Sequence, residues 1–191
     1  MPGSSELLSL GQFVTVPELT PKVGDLIEID RTLYIHWAVY VGDGRVVHVV
    51  GPNAEDIPTD WAFVQKSSLE QVAGCSRVRV NNKSVRARER GVKPLEKEKV
   101  VQYALENLDQ KVEYNVLTRN AEFYVTQWKY GHGWSDQASI ALSVMKSLNG
   151  DIKMGHNTFL TGLQAVFDSP IINYKSPRGP QRRSSSLQST T

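Results

Sequence analysis

The chain has 191 residues, 22 of them basic and 20 acidic, with four His, a single Cys and 40% apolar residues. At that length one core buries about 70% of the surface an unfolded chain would expose, so one domain with a tail is expected. Cys75 has no partner for an internal disulfide, which excludes a stapled secreted scaffold and favours a reducing compartment. No window reaches the roughly 18 apolar residues of a spanning helix, and MPGSSELLSLG has neither part of a signal peptide, so a cytoplasmic protein without a transmembrane segment is expected.

Residues 1–20 read as a polar lead-in, and Pro21 and Gly24 punctuate the start of a strand from Asp25 to Ile29. Two apolar runs follow, IHWAVYV (35–41) and RVVHVV (45–50), with Gly-Asp-Gly between them, the clearest hairpin signal in the chain. The stretch holding Pro52, Pro58 and Gly74 reads as loop, and Ser76 to Asn81 as another alternating strand. Between Arg77 and Lys99 nine Lys/Arg stand against three Glu. That run reads either as a solvated face or as a patch for anionic phospholipid head groups; nucleic acid is disfavoured because no aromatic residues are interleaved to stack bases.

The second half turns helical. Val101, Ala104, Leu105 and Leu108 fall at i, i+3, i+4 and i+7 behind Pro94, which predicts a helix from Pro94 to Asn107. Asn120 is an N-cap for a helix from Ala121 to Tyr130 that Gly131 ends. Ser135 caps a third, Asp136 to Leu148, and a fourth is expected from Asn157 to Phe167. Strands first and helices later imply an α+β domain with an antiparallel sheet over 21–150, and a helical extension over 151–168. The tail, 169–191, carries Lys175, Arg178, Arg182 and Arg183 with no acid, which leaves a net −2 on the body. Its Ser/Pro/Arg-rich composition reads as disordered.

Two histidines, His36 and His48, lie in the hairpin runs. Read alone, each is more often a satisfied core residue than a ligand. A three-residue Gly42-Asp43-Gly44 loop would set Val41 opposite Arg45 and Ala38 opposite His48, placing both imidazoles on one face with Tyr40; a two-residue loop would place them on opposite faces. No metal and no cofactor is expected, since Cys75 is remote and His132 and His156 show no ligand spacing. A Ser-based triad is not indicated either, for want of a G-x-S-x-G elbow. What the pair suits is a thiolate at a helix N-terminus, with His36 as its base and His48 orienting that base.

GDLIEI, then IHWAVYVGDGRVVHVVGP, and later NVLTRNAEFYVTQWKYG resemble the lecithin:retinol acyltransferase-like family and, within it, the phospholipase A/acyltransferase branch, over roughly Val23 to Asp136. The resemblance implies a circularly permuted NlpC/P60, papain-like fold in which a thiol attacks a glycerophospholipid ester and passes the acyl group to water or to an amine. Phosphatidylcholine and phosphatidylethanolamine are the implied lipids. Residue by residue, His36 matches the family's base and His48 its second histidine. The family's helix opens N-C-E, whereas this chain has Asn120, Ala121 and Glu122, so the nucleophile position holds a methyl group. Either the Cys was replaced deliberately or the chain is a natural paralogue without the activity, a pseudoenzyme serving as a lipid-binding or protein-interaction module. Tyr40, Asn120 and Glu122 are supporting candidates: a site oxygen contact, an oxyanion donor or cap, and a dipole partner near a head group. Family members commonly end in a hydrophobic anchor, and the basic tail here implies peripheral membrane contact instead.

Overall fold

The computed structural model describes residues 10–136 apart from Leu33. After a 3-10 turn (Val16–Glu18) the elements in chain order are β1 (Leu26–Asp30), β2 (Ile35–Gly42), β3 (Arg45–Val50), β4 (Trp61–Ser68), α1 (Leu69–Ala73), β5 (Val78–Val80), α2 (Ser84–Glu89), α3 (Lys97–Glu106), β6 (Lys111–Glu113) and α4 (Ala121–Tyr130). The strands form one antiparallel sheet in the order β5-β1-β2-β3-β4-β6, an α+β domain as the element order implies. The helices expected at 136–148 and 157–167, and the tail, lie outside the described residues.

The hairpin at its centre departs from the expected turn yet keeps the expected pairing. Ala38 lies opposite His48 and Tyr40 opposite Val46, but Gly42, not Val41, lies opposite Arg45. The loop is therefore the two residues Asp43 and Gly44, both at positive φ (50° and 67°), the geometry that matches strand twist in tight hairpins. A bulge between Tyr40 and Gly42 supplies the extra residue that such a loop would otherwise subtract. Both histidines consequently stay on one face, by a route the Gly-Asp-Gly spacing alone did not reveal. Gly42 carries the bulge at φ 100°, and its missing Cβ would meet only Val23 Cγ2 at 3.5 Å.

Each face of the sheet has its own core. Leu26, Trp37, Val39, Val47, Val49, Ala62 and Val64 pack with Val100 and Ala104 of α3 and with Ala121, Tyr124, Val125 and Trp128 of α4. On the other face Ile27, Ile29, Ala38, Val46 and Val78 pack with Leu69, Val72 and Ala73 of α1. Strand alternation sends His36 with Ala38, and His48 with Val46, to this second face.

The stretch read as loop before Gly74 contains β4 and α1. In β4 Ala62 and Val64 are buried while Trp61, Gln65 and Lys66 are exposed, an alternation masked by the polar Ser67 and Ser68. The five-residue α1 is too short for a periodic signal, although its start is marked by a capping box from Ser68 to Gln71. The helix predicted at Pro94–Asn107 is the shorter α3, and its deepest residues are Val100 and Ala104. α4 matches the expectation at both ends: Asn120 accepts a hydrogen bond from the Phe123 N–H, and Gly131 closes the helix in the left-handed region.

Gly42→Ala should cost about 1–2 kcal/mol, because an L residue resists positive φ and the space around the new Cβ is otherwise open. Urea denaturation measures it; unchanged stability would mean that the bulge is not required.

Candidate active site

The site grows from the two central strands. His36 on β2 and His48 on β3 are 1% and 5% exposed. Their rings meet edge to face, with His36 Nε2 3.0 Å from His48 Nδ1, a hydrogen bond in which one ring must donate and the other accept. Opposite β3, Ser67 of β4 brings its Oγ to 3.3 Å from His48 Nε2. On the far side, Asp56 Oδ1 lies 3.8 Å from His36 Nδ1, a charge contact beyond hydrogen-bond length. The result is a series from the buried Asp56 through His36 and His48 to the half-buried Ser67.

Asp56 comes from the loop between β3 and β4 and is itself held in place. Arg31 donates to its Oδ2 from Nε at 2.7 Å, and Tyr34 donates its hydroxyl to the same oxygen at 3.2 Å. The remaining guanidinium donors of Arg31 reach the carbonyls of Val72 and Ala73 and the Ser76 hydroxyl. One arginine thus satisfies the terminal carbonyls of α1 and neutralises the buried carboxylate. Tyr114, from the α4 side of the sheet, donates its hydroxyl to the Asp56 carbonyl at 3.4 Å.

Burial dominates the electrostatics. Loss of solvent pushes His36 down, against the pull of Asp56. It pushes His48 down to about 3, with repulsion from His36 adding to the effect. Both rings are therefore neutral at pH 7. Burial opposes ionisation of Asp56, but attraction to His36 and Arg31 outweighs it and holds the carboxyl below its ordinary value. Tyr34 and Tyr114 are pushed up, first by burial and then by the Asp56 charge, so both keep their protons.

Ala121 opens α4, 4% exposed, in the layer of Trp37 and Val39. It carries only a methyl group to the start of the helix. Asn120 does cap: its Oδ1 takes the Phe123 N–H at 3.2 Å, and its amide donates to Val116 O at 3.0 Å and to Ser135 Oγ at 2.9 Å. Glu122 departs from expectation. Instead of lying open to a head group it is 1% exposed, paired with the buried Lys83 and accepting from Ser135 Oγ at 2.7 Å and from the Asp136 N–H at 3.1 Å. Lys83 also reaches Asp136 at 2.5 Å. Tyr40 reaches the turn: its hydroxyl accepts the Gly44 N–H at 3.1 Å, which braces the hairpin. Cys75 is exposed and outside this cluster. Among the described residues no group of His, Cys, Asp and Glu is placed to hold a metal ion, and no helix is long and apolar enough to cross a membrane.

The sequence profile of the lecithin retinol acyltransferase family matches residues 19–133, the stretch that carries both histidines and the start of α4. The chain belongs to that family. It is 43% identical over 131 residues to phospholipase A and acyltransferase 3 of Homo sapiens, covering 64% of this chain and 77% of the relative. Phospholipase A and acyltransferase 2 of Homo sapiens is 39% identical over 134 residues (65% and 80%), and phospholipase A and acyltransferase 1 is 34% identical over 134 residues (66% and 77%).

Sequence reasoning brought His36 and His48 together but missed Arg31, Asp56 and Ser67. A reading of β4 would have exposed Ser67, since its pairing with Val46 puts it on the histidine face. Asp56 and Arg31 carry no local signal.

The neutral rings make a pH prediction. A histidine whose folded pKa is depressed takes up a proton in the unfolded chain first, so stability is complete above about pH 6.5 and falls as pH drops below it. The slope reaches about 1.4 kcal/mol per pH unit for each ring. Denaturation midpoints should therefore fall between pH 6.5 and 4, and His48→Gln should flatten the profile. A flat wild-type profile would show that the rings are not held neutral.

Proposed function

We propose that this chain is a phospholipase A/acyltransferase scaffold for glycerophospholipids in which the thiol step is absent. The observation that carries the reading is Ala121 at the first position of α4. A thiol at a helix start is favoured as thiolate by the free backbone N–H groups and the helix dipole; a methyl group supplies no nucleophile, however the histidines are arranged. In this reading Asn120 fixes the helix start for such a thiol; His36 and His48 lie on the sheet face opposite the layer that holds Ala121, with His36 Nε2 engaged by His48 and Nδ1 facing Asp56, so their roles as base and orienting histidine are carried by the family resemblance and not by contact with residue 121. The permuted papain-like topology is part of the same proposal. The relatives' names, phospholipase A and acyltransferase, support the acyl-transfer class; phosphatidylcholine and phosphatidylethanolamine as the lipids, and water or an amine as acceptor, belong to the proposal.

A second reading is favoured by one observation, the near-complete burial of both imidazoles: the domain binds lipid or protein without catalysis. Basic side chains of the Arg77–Lys99 run, such as Arg86 on α2, half exposed, would then contribute salt-sensitive contact with anionic vesicles.

Ala121→Cys separates the two. On mixed phosphatidylcholine/phosphatidylethanolamine vesicles the variant should release fatty acid, form an acyl-enzyme at position 121, and lose both to iodoacetamide, with the new thiol alkylating well below the usual thiol pH range. The unaltered chain should show no iodoacetamide-sensitive release. A thiol at 121 of ordinary reactivity, with no acyl-enzyme, would overturn the first reading and leave the binding module.

A further inference from the structure

The series does not end at the second histidine. From Asp56 Oδ1 to His36 Nδ1 is 3.8 Å, from His36 Nε2 to His48 Nδ1 3.0 Å, and from His48 Nε2 to Ser67 Oγ 3.3 Å. With Asp56 ionised, one assignment of protons lets the contacts act in the same direction. His36 carries its proton on Nδ1, facing the carboxylate, and accepts at Nε2; His48 donates from Nδ1 to that nitrogen and leaves its own Nε2 as an acceptor for the Ser67 hydroxyl. A carboxylate, two neutral imidazoles and a hydroxyl then stand in the order that activates an alcohol.

We infer that Ser67 is a second nucleophile position in this fold, with His48 as its base, acting on small carboxylic esters independently of residue 121. Ser67 Oγ attacks the ester carbonyl carbon and forms the new C–O bond while its proton moves to His48 Nε2. The tetrahedral intermediate collapses with cleavage of the ester C–O bond, and the leaving alcohol takes that proton from His48. Water then adds to the acyl-serine by the same path in reverse, His48 accepting its proton and returning it to Ser67, so the sum is ester hydrolysis. His36 and Asp56 are positioning residues. His36 accepts the Nδ1 proton of His48, and the Asp56 charge favours the positive charge that forms on the ring pair.

Access to Ser67 follows from the sheet. β6 pairs with β4 only at Trp61, Ala62 and Phe63, and among the described residues no strand lies against the outer side of 65–68. Ser67 is half-buried and its neighbours Gln65 and Lys66 are exposed, so the strand segment that carries it lies at the solvent border of the sheet. A serine serving only to satisfy a buried imidazole needs no such edge.

Diisopropyl fluorophosphate tests the inference on the full chain, since phosphorylation of an activated serine expels fluoride and leaves a stable mass addition. At neutral pH one equivalent should add, peptide mapping should place it on Ser67, and p-nitrophenyl acetate hydrolysis should fall in step. Ser67→Ala should abolish the adduct, and His48→Gln should slow its formation by about 100-fold. Asp56→Asn should slow it less and leave the labelled residue unchanged. No adduct, an adduct on another residue, or labelling as fast in His48→Gln as in the unaltered chain would overturn the inference. Because the label reads Ser67 and iodoacetamide reads position 121, failure here is distinguishable from failure of the thiol reading.

Discussion

A single hydrogen bond between two imidazoles organises the interior of this domain. Two rings buried on the same sheet face cannot both be charged, since each proton would be taken out of water beside another. They can share one proton between Nε2 of His36 and Nδ1 of His48, and that arrangement obliges the outer nitrogen of each ring to find its own partner. Ser67 is the hydrogen-bond partner of His48, and Asp56 is the charge that faces His36. Asp56 is in turn stable as a buried carboxylate only because Arg31 pairs with it, and Arg31 is held by the carbonyls that end α1. The constraint thus runs from one ring contact through a loop, a strand and a helix terminus.

The start of α4 is organised separately. Its first turn carries a buried Glu122 against Lys83, with Ser135 and Asp136 completing the shell, while Asn120 closes the helix end. These interactions fix the helix start beside residue 121, whose methyl group packs in the sheet-facing core. The helix start therefore accommodates a methyl group at residue 121 without losing its cap or its buried ion pair. The Tyr114 hydroxyl on the Asp56 carbonyl ties the α4 side of the sheet to the loop that serves the histidines.

Much of this was legible in the sequence where signals are local. The IHWAVYV and RVVHVV runs gave the hairpin and the shared face of His36 and His48, and Asn120 and Gly131 bounded α4 to the residue. The turn itself misled, because Gly-Asp-Gly is compatible both with a three-residue loop and with a two-residue loop plus a bulge, and only the pairing distinguishes them. β4, α1, α2 and β6 were missed because each is short or has a polar half that hides its alternation. Arg31, Asp56 and Ser67 were invisible for a different reason: each acquires its role from a partner distant in sequence, so neither its own spacing nor its neighbours mark it. Glu122 was placed correctly on its helix but in the wrong environment, since its buried partner Lys83 sits 39 positions away.

The central claim is that both rings are neutral at physiological pH with their protons on Nδ1. Nitrogen-15 spectra of the imidazoles in the labelled protein test it most directly. The account predicts two neutral Nδ1–H rings that do not titrate between pH 8 and 5, with scalar coupling across the hydrogen bond from His48 Nδ1 to His36 Nε2. A ring titrating near its ordinary value, or one protonated on Nε2 with no such coupling, would contradict it.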